Sequence, residues 1–115
     1  MKIKIAVLFL FVSIICFAFT GCTSTIYAWE EYPTQVYANL RGDISLESQV
    51  QTMERNLQKI LSKNNRVPPG FYAHLGMLQA EAGDRARARE CFTEEKNLFP
   101  ESAVFMDRLL SRLGR

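Results

Sequence analysis

His74 is the single histidine of this 115-residue chain, and Cys16, Cys22 and Cys91 are its thiols. A protein zinc site takes three or four ligands, and these residues with scattered carboxylates offer no such spacing. Ser-His-Asp catalysis would need His74 together with a nucleophile elbow, and no G-x-S-x-G occurs. The six glycines never fall into G-x-x-x-x-G-K, so no phosphate loop is present. The expectation is a protein with no catalytic residue, metal, cofactor or small-molecule substrate, hence no enzyme. His74 reads as a helix-surface or groove residue. Arg41-Gly42-Asp43 spells an adhesion tripeptide, and it is equally what a helix ending in a glycine turn looks like. Arg85, Arg87 and Arg89 are answered along the same helix by Glu90, Glu94 and Glu95. That pattern suits a solvated face with weak helix pairs, or else a site for anionic lipid or an acidic partner.

Cys22 has the clearest chemistry, and it lies in the N-terminal segment. Lys2 and Lys4 form a short positive region, and Ile5 to Phe19 is a 15-residue apolar run broken only by Ser13. Its length and polarity are those of a signal-peptide core; a spanning helix needs about 20 apolar residues. The run ends in Phe19-Thr20-Gly21-Cys22, which resembles the lipobox of bacterial lipoproteins, with Phe19 standing where Leu is most usual. The resemblance implies cleavage before Cys22, diacylglycerol on its thiol and acylation of its new amine. Thr23, rather than an Asp, implies sorting to the outer membrane, with the domain on the periplasmic side. Residues 1–21 are then the signal peptide and 22–32 a lipidated tether.

Removal of Lys2 and Lys4 also alters the charge. The whole chain has 14 Lys+Arg against 12 Asp+Glu, so from Cys22 onward the two signs balance at 12 each. A basic nucleic-acid surface loses its support. The 94 remaining residues suffice for one small domain and are too few for a doubly wound or barrel enzyme. Cys91 is left as the only free thiol, so the mature chain can form no internal disulfide. Beside Phe92 on a helix, Cys91 reads as a small buried hydrophobe.

Residues 33–115 read as all-α. The tether carries Tyr27, Trp29 and Tyr32 without helical period, free either to pack on the helices or to lie at the bilayer interface. Pro33 opens a first helix that ends before Gly42-Asp43. A second begins near Ser45, capped by Asp43 or Ser45. Its apolar stripe is Leu46, Val50, Met53, Leu57 and Ile60, with Glu47, Gln51, Glu54, Arg55 and Lys59 on the wet side. Pro68-Pro69-Gly70 breaks the chain. A third helix, about 71–82, should bury Phe71, Leu75, Leu78 and Ala82. A fourth, about 85–98, should present Ala88, Cys91, Phe92 and Leu98 or Phe99. Pro100 stops it, and a fifth follows with Phe105 or Met106, Leu109, Leu110 and Leu113 on its face.

The third and fourth helices, about residues 69–102, resemble a tetratricopeptide repeat through Tyr72, Leu75-Gly76, Gly83-Asp84, Ala88, Phe92 and Pro100. Gly76 and Ala88 would let the two helices approach closely, and Gly83 can take the positive φ of a tight C-cap. The departures are Gln79, where an aromatic is usual, and Glu95, where Ala is preferred; Glu95 implies looser or hydrated packing against the following helix. Antiparallel helix pairs with a C-terminal capping helix would result.

The mature chain as a whole is also similar to an uncharacterised family of small bacterial outer-membrane lipoproteins, the domain of unknown function 4810. The likeness rests on Tyr27 and Trp29, Tyr37 through Leu40 and Gly42, Val67-Pro68-Pro69-Gly70, Ala73-His74-Leu75-Gly76, Leu98-Phe99-Pro100-Glu101-Ser102 and Phe105-Met106-Asp107. It implies an envelope partner, such as a curli-secretion-channel-like lipoprotein, and no catalytic residues. The expected function is that of a lipid-anchored adaptor binding a partner protein in envelope assembly or secretion. Tyr72, His74 and Gln79 are its candidate binding residues and Cys22 its lipid attachment site. The alternative is a structural, self-associating envelope lipoprotein without a peptide groove.

Overall fold

The computed structural model describes residues 1–5, 7, 25–42 and 44–114. Cys22, and Asp43 of the Arg-Gly-Asp tripeptide, lie outside the described residues. The described domain is all-helical: α1 (Tyr32–Arg41), α2 (Leu46–Ser62), α3 (Phe71–Glu81), α4 (Arg85–Leu98), a 3₁₀ turn (Pro100–Ser102) and α5 (Ala103–Leu113). No described helix is long and apolar enough to cross a membrane.

Local chemistry sets each boundary. α1 carries Pro33 in its first turn and stops at Gly42, whose φ of 69° takes the left-handed cap. Ser45 caps α2, its Oγ accepting from the Ser48 amide at 3.4 Å. Asp84 caps α4 more tightly, accepting from the Arg87 amide at 2.9 Å. Between them Gly83, at φ 92°, closes the α3–α4 turn as its residue type requires. The fifth helix begins differently from expectation. Pro100 starts a 3₁₀ turn, and the Ser102 hydroxyl donates to the Phe99 carbonyl at 2.7 Å before α5 proper.

α3 and α4 form the tightest pair, and Gly76 is the reason. A Cβ at that position would lie 2.6 Å from Cε1 of Phe92 and 3.1 Å from Cβ of Cys91, so the α4 side chains occupy the space a larger residue would need. Ala88 is fully buried beside them. The interior has two parts. Met53, Leu57 and Ile60 of α2 pack with Val67, Phe71, Tyr72, Leu75, Leu78 and Cys91. Ala88, Phe92 and Met106 form a second cluster, flanked by Ala73, Ala80, Leu109, Leu110 and Leu113. The α2 stripe is buried at Met53, Leu57 and Ile60 and half-buried at Leu46 and Val50. Of the paired alternatives at the last two helices, Met106 is buried and Phe99 half-buried, whereas Phe105 and Leu98 are exposed. Ala82 is exposed as well, one residue beyond α3.

Candidate binding groove

Tyr72, buried on α3, is one of the residues lining a surface groove of about 510 Å³. Tyr27, Leu61, Val67, Leu98 and Phe99 supply the rest of the apolar lining, and Asn65, Arg66 and Glu94 the polar rim. Leu61 and Leu98 remain about half exposed, at 49% and 50%. Burial pushes the Tyr72 phenol above its usual range, with the Glu94 charge adding to it. The phenol therefore stays neutral at physiological pH. Within this groove are apolar contacts and two opposite charges, but no nucleophile beside a base.

The tether aromatics belong to this structure. Tyr27 meets Phe99 edge-on at 6.2 Å, and the Ala28 amide donates to the Arg66 carbonyl at 3.1 Å. Tyr32 packs 5.2 Å from Phe71 and 6.0 Å from His74, and Trp29 stacks on Tyr32 at 6.1 Å. Glu30 accepts from Lys59 at 2.6 Å and lies 3.6 Å from Lys63; those ammonium groups hold its carboxyl below the usual range. Of the two placements open to the tether in sequence, Tyr27 and Tyr32 take the helical domain, while Trp29 stays 40% exposed.

His74 is half-buried under Tyr32, away from the groove lining, and burial lowers its pKa. The imidazole is therefore neutral at pH 7, and its Nε2 has no hydrogen-bond partner among the described residues. Gln79 is buried and donates from Nε2 to Glu54 Oε1 at 2.9 Å. The structure thus brings Tyr72 to the groove and leaves His74 and Gln79 in separate surroundings. Cys91 is buried, and burial pushes its thiol up to about 11. Among the described residues no group of three or more His, Cys, Asp or Glu is placed to hold a metal ion.

Two expectations about charge need correction. Glu95 does not loosen the packing toward α5. It is 2% exposed and turns to α3, where Oε1 accepts from the Gly70 amide at 2.6 Å and Oε2 from the Ala73 amide at 3.2 Å. Gly70 precedes α3 and has no side chain with which to cap it, so a carboxylate from the neighbouring helix satisfies the orphan donors at the positive helix end. The Arg85, Arg87 and Arg89 cluster is likewise not a purely solvated face. Arg87 forks onto Glu54 of α2 (Nε to Oε1 2.8 Å, Nη2 to Oε2 2.9 Å) and reaches Glu90 at 3.0 Å. Glu54, assigned to the wet side of its helix, ties α2, α3 and α4 together.

Of the nine described lining residues only Tyr72 is among the candidate binding residues read from the sequence. Leu61 falls off the apolar stripe of α2, so its exposure was readable, but which residues it would face was not. Three of the segments carrying the family resemblance meet here: Tyr27 from the tether, Val67 from the Val-Pro-Pro-Gly break, and Leu98-Phe99 ahead of Pro100. No curated protein and no solved structure matches the chain. The profile of one family matches residues 26–109, from just ahead of Tyr27 into α5, and so takes in every lining residue of the groove. By that match this chain belongs to the family described as domain of unknown function (DUF4810).

Proposed function

We propose that this chain is a lipid-anchored, non-enzymatic adaptor on the periplasmic side of the bacterial outer membrane. Acyl chains on Cys22 would hold it there, and its groove would seat a segment of a partner protein in envelope assembly or secretion. The observation that carries this reading is the groove itself. An apolar trough lined by Tyr27, Leu61, Val67, Tyr72, Leu98 and Phe99 accepts apolar anchor side chains, and Arg66 and Glu94 at its rim fix the direction of an incoming chain. The tetratricopeptide-like spacing of α3 and α4 supports it, because such helix pairs commonly present a surface for peptides. A curli-secretion-channel-like lipoprotein is the partner class that the sequence resemblance suggests.

The test is recovery of the lipidated protein from its own envelope in mild detergent, with partners identified by mass spectrometry. A stoichiometric partner should be lost in Leu98→Asp, whose side chain is half exposed and tolerates a charge without unfolding, and in Tyr72→Ala, with helicity retained in both. A partner that survives both changes would sink the groove as its seat.

Exposed apolar residues at the two ends of the helical stack favour the second reading. Tyr37 and Leu40 on α1, and Val104 and Phe105 on α5, are uncovered where terminal repeats ordinarily carry polar side chains. Recovery of the protein alone, as an oligomer, would support structural self-association.

A further inference from the structure

We propose that Ile26 and Trp29, together with Lys63 and Arg66, form a second contact with the bilayer, docking the domain directly on phospholipid headgroups. The proposal rests on the anchorage at Cys22 proposed above. It follows from how few residues separate Cys22 from the folded domain. From Tyr27 to Tyr32 the tether is fixed to the domain: Tyr27 on Phe99, the Ala28 amide on the Arg66 carbonyl, Glu30 on Lys59 and Lys63, Tyr32 on Phe71. Only the four residue steps from Cys22 to Ile26 then separate lipid from folded protein. Fully extended, they reach about 14 Å. The headgroup layer is itself roughly 6 Å thick on each side of the hydrocarbon. A domain so tied presents the face bearing Ile26 to the membrane.

That face has the composition an interface favours. Ile26 is 71% exposed and Trp29 40% exposed, while Ile26 and Arg66 line one small recess with Thr25 and Asn65. Lys63 is half exposed even with its contact to Glu30. Two acids lie among these residues: Glu30 is paired with Lys59 and Lys63, and Glu31 is exposed near Lys59, so the three cations Lys59, Lys63 and Arg66 still outnumber the acids by one. An exposed tryptophan settles where apolar and wet regions meet, and basic side chains nearby favour anionic headgroups. The partner groove begins at Tyr27, so on this reading its mouth opens beside the bilayer and suits a membrane-proximal segment of the partner.

Trp29 is the only tryptophan, and so reports on its own position. The full lipidated protein is reconstituted into phosphatidylethanolamine–phosphatidylglycerol vesicles with and without lipids brominated near the top of the acyl chains, and vesicle flotation is measured in parallel. The expected result is emission that falls by about half with brominated lipid, as for a ring at the headgroup–acyl boundary. Ile26→Asp, and Lys63→Glu with Arg66→Glu, should largely restore the emission while the protein still floats and keeps its helicity. Flotation without quenching overturns the docking contact and leaves the anchor intact. Quenching unchanged in both variants means that the acyl chains alone impose the proximity, and also overturns it. Failure to float removes the anchor and this proposal together.

Discussion

Glu95 stands where the resemblance in sequence to a tetratricopeptide repeat would have Ala, and it holds the first turn of α3 through two amide hydrogen bonds. Its replacement by Ala would leave the half-buried Gly70 and Ala73 amides without this acceptor. Hydrogen bonds to a charged group contribute about 1.5–3 kcal/mol net, and helix caps about 1 kcal/mol. Glu95→Ala is therefore expected to destabilise the domain by roughly 2–3 kcal/mol, and Glu95→Gln by less, since one carbonyl oxygen can still accept. Urea unfolding of both variants measures this; equal stability of wild type and Glu95→Ala would remove the capping role. The residue was visible in sequence as a departure, but its partner was not. The Gly70 amide lies 25 positions away along the chain, and only the packing of α3 on α4 brings it within reach.

At the scale of elements the sequence was largely legible. Gly83, Pro33 and Ser45 act through their own backbone neighbourhood, so the type and order of all five helices follow from residues a few positions apart. The stripe from Leu46 to Ile60 likewise identifies α2 and its buried face. What could not be read was the fate of residues whose partners lie on other helices. Glu54, periodic with the wet side of α2, is claimed by Arg87 and Gln79 across two interfaces, and the tether aromatics find Phe99 and Phe71 only once the domain has closed. Gly76 yields a prediction at this scale. By helix propensity alone Gly76→Ala would stabilise α3 by about 1 kcal/mol. Its Cβ would overlap the Phe92 ring, however, and overpacking costs about 1–3 kcal/mol, so the net effect should be a loss of stability. A higher urea midpoint for Gly76→Ala would contradict the tight α3–α4 approach.

Across the whole molecule, the apolar interior is divided and α4 is its shared wall. Cys91 packs into the cluster built by α2 and α3, whereas its neighbour Phe92 packs into the cluster completed by α5. Adjacent residues on one helix thus answer to different parts of the fold. α5 closes only the smaller cluster, where Met106 is its one fully buried side chain. Its detachment therefore leaves Met53, Leu57, Ile60 and Leu75 covered. The native state then has two opening events of unequal cost. Amide hydrogens of α5 should exchange with solvent deuterium well before those of α2 and α3. During that partial opening Cys91 should stay shielded, so alkylation at pH 8 ought to track the slower event rather than the faster one.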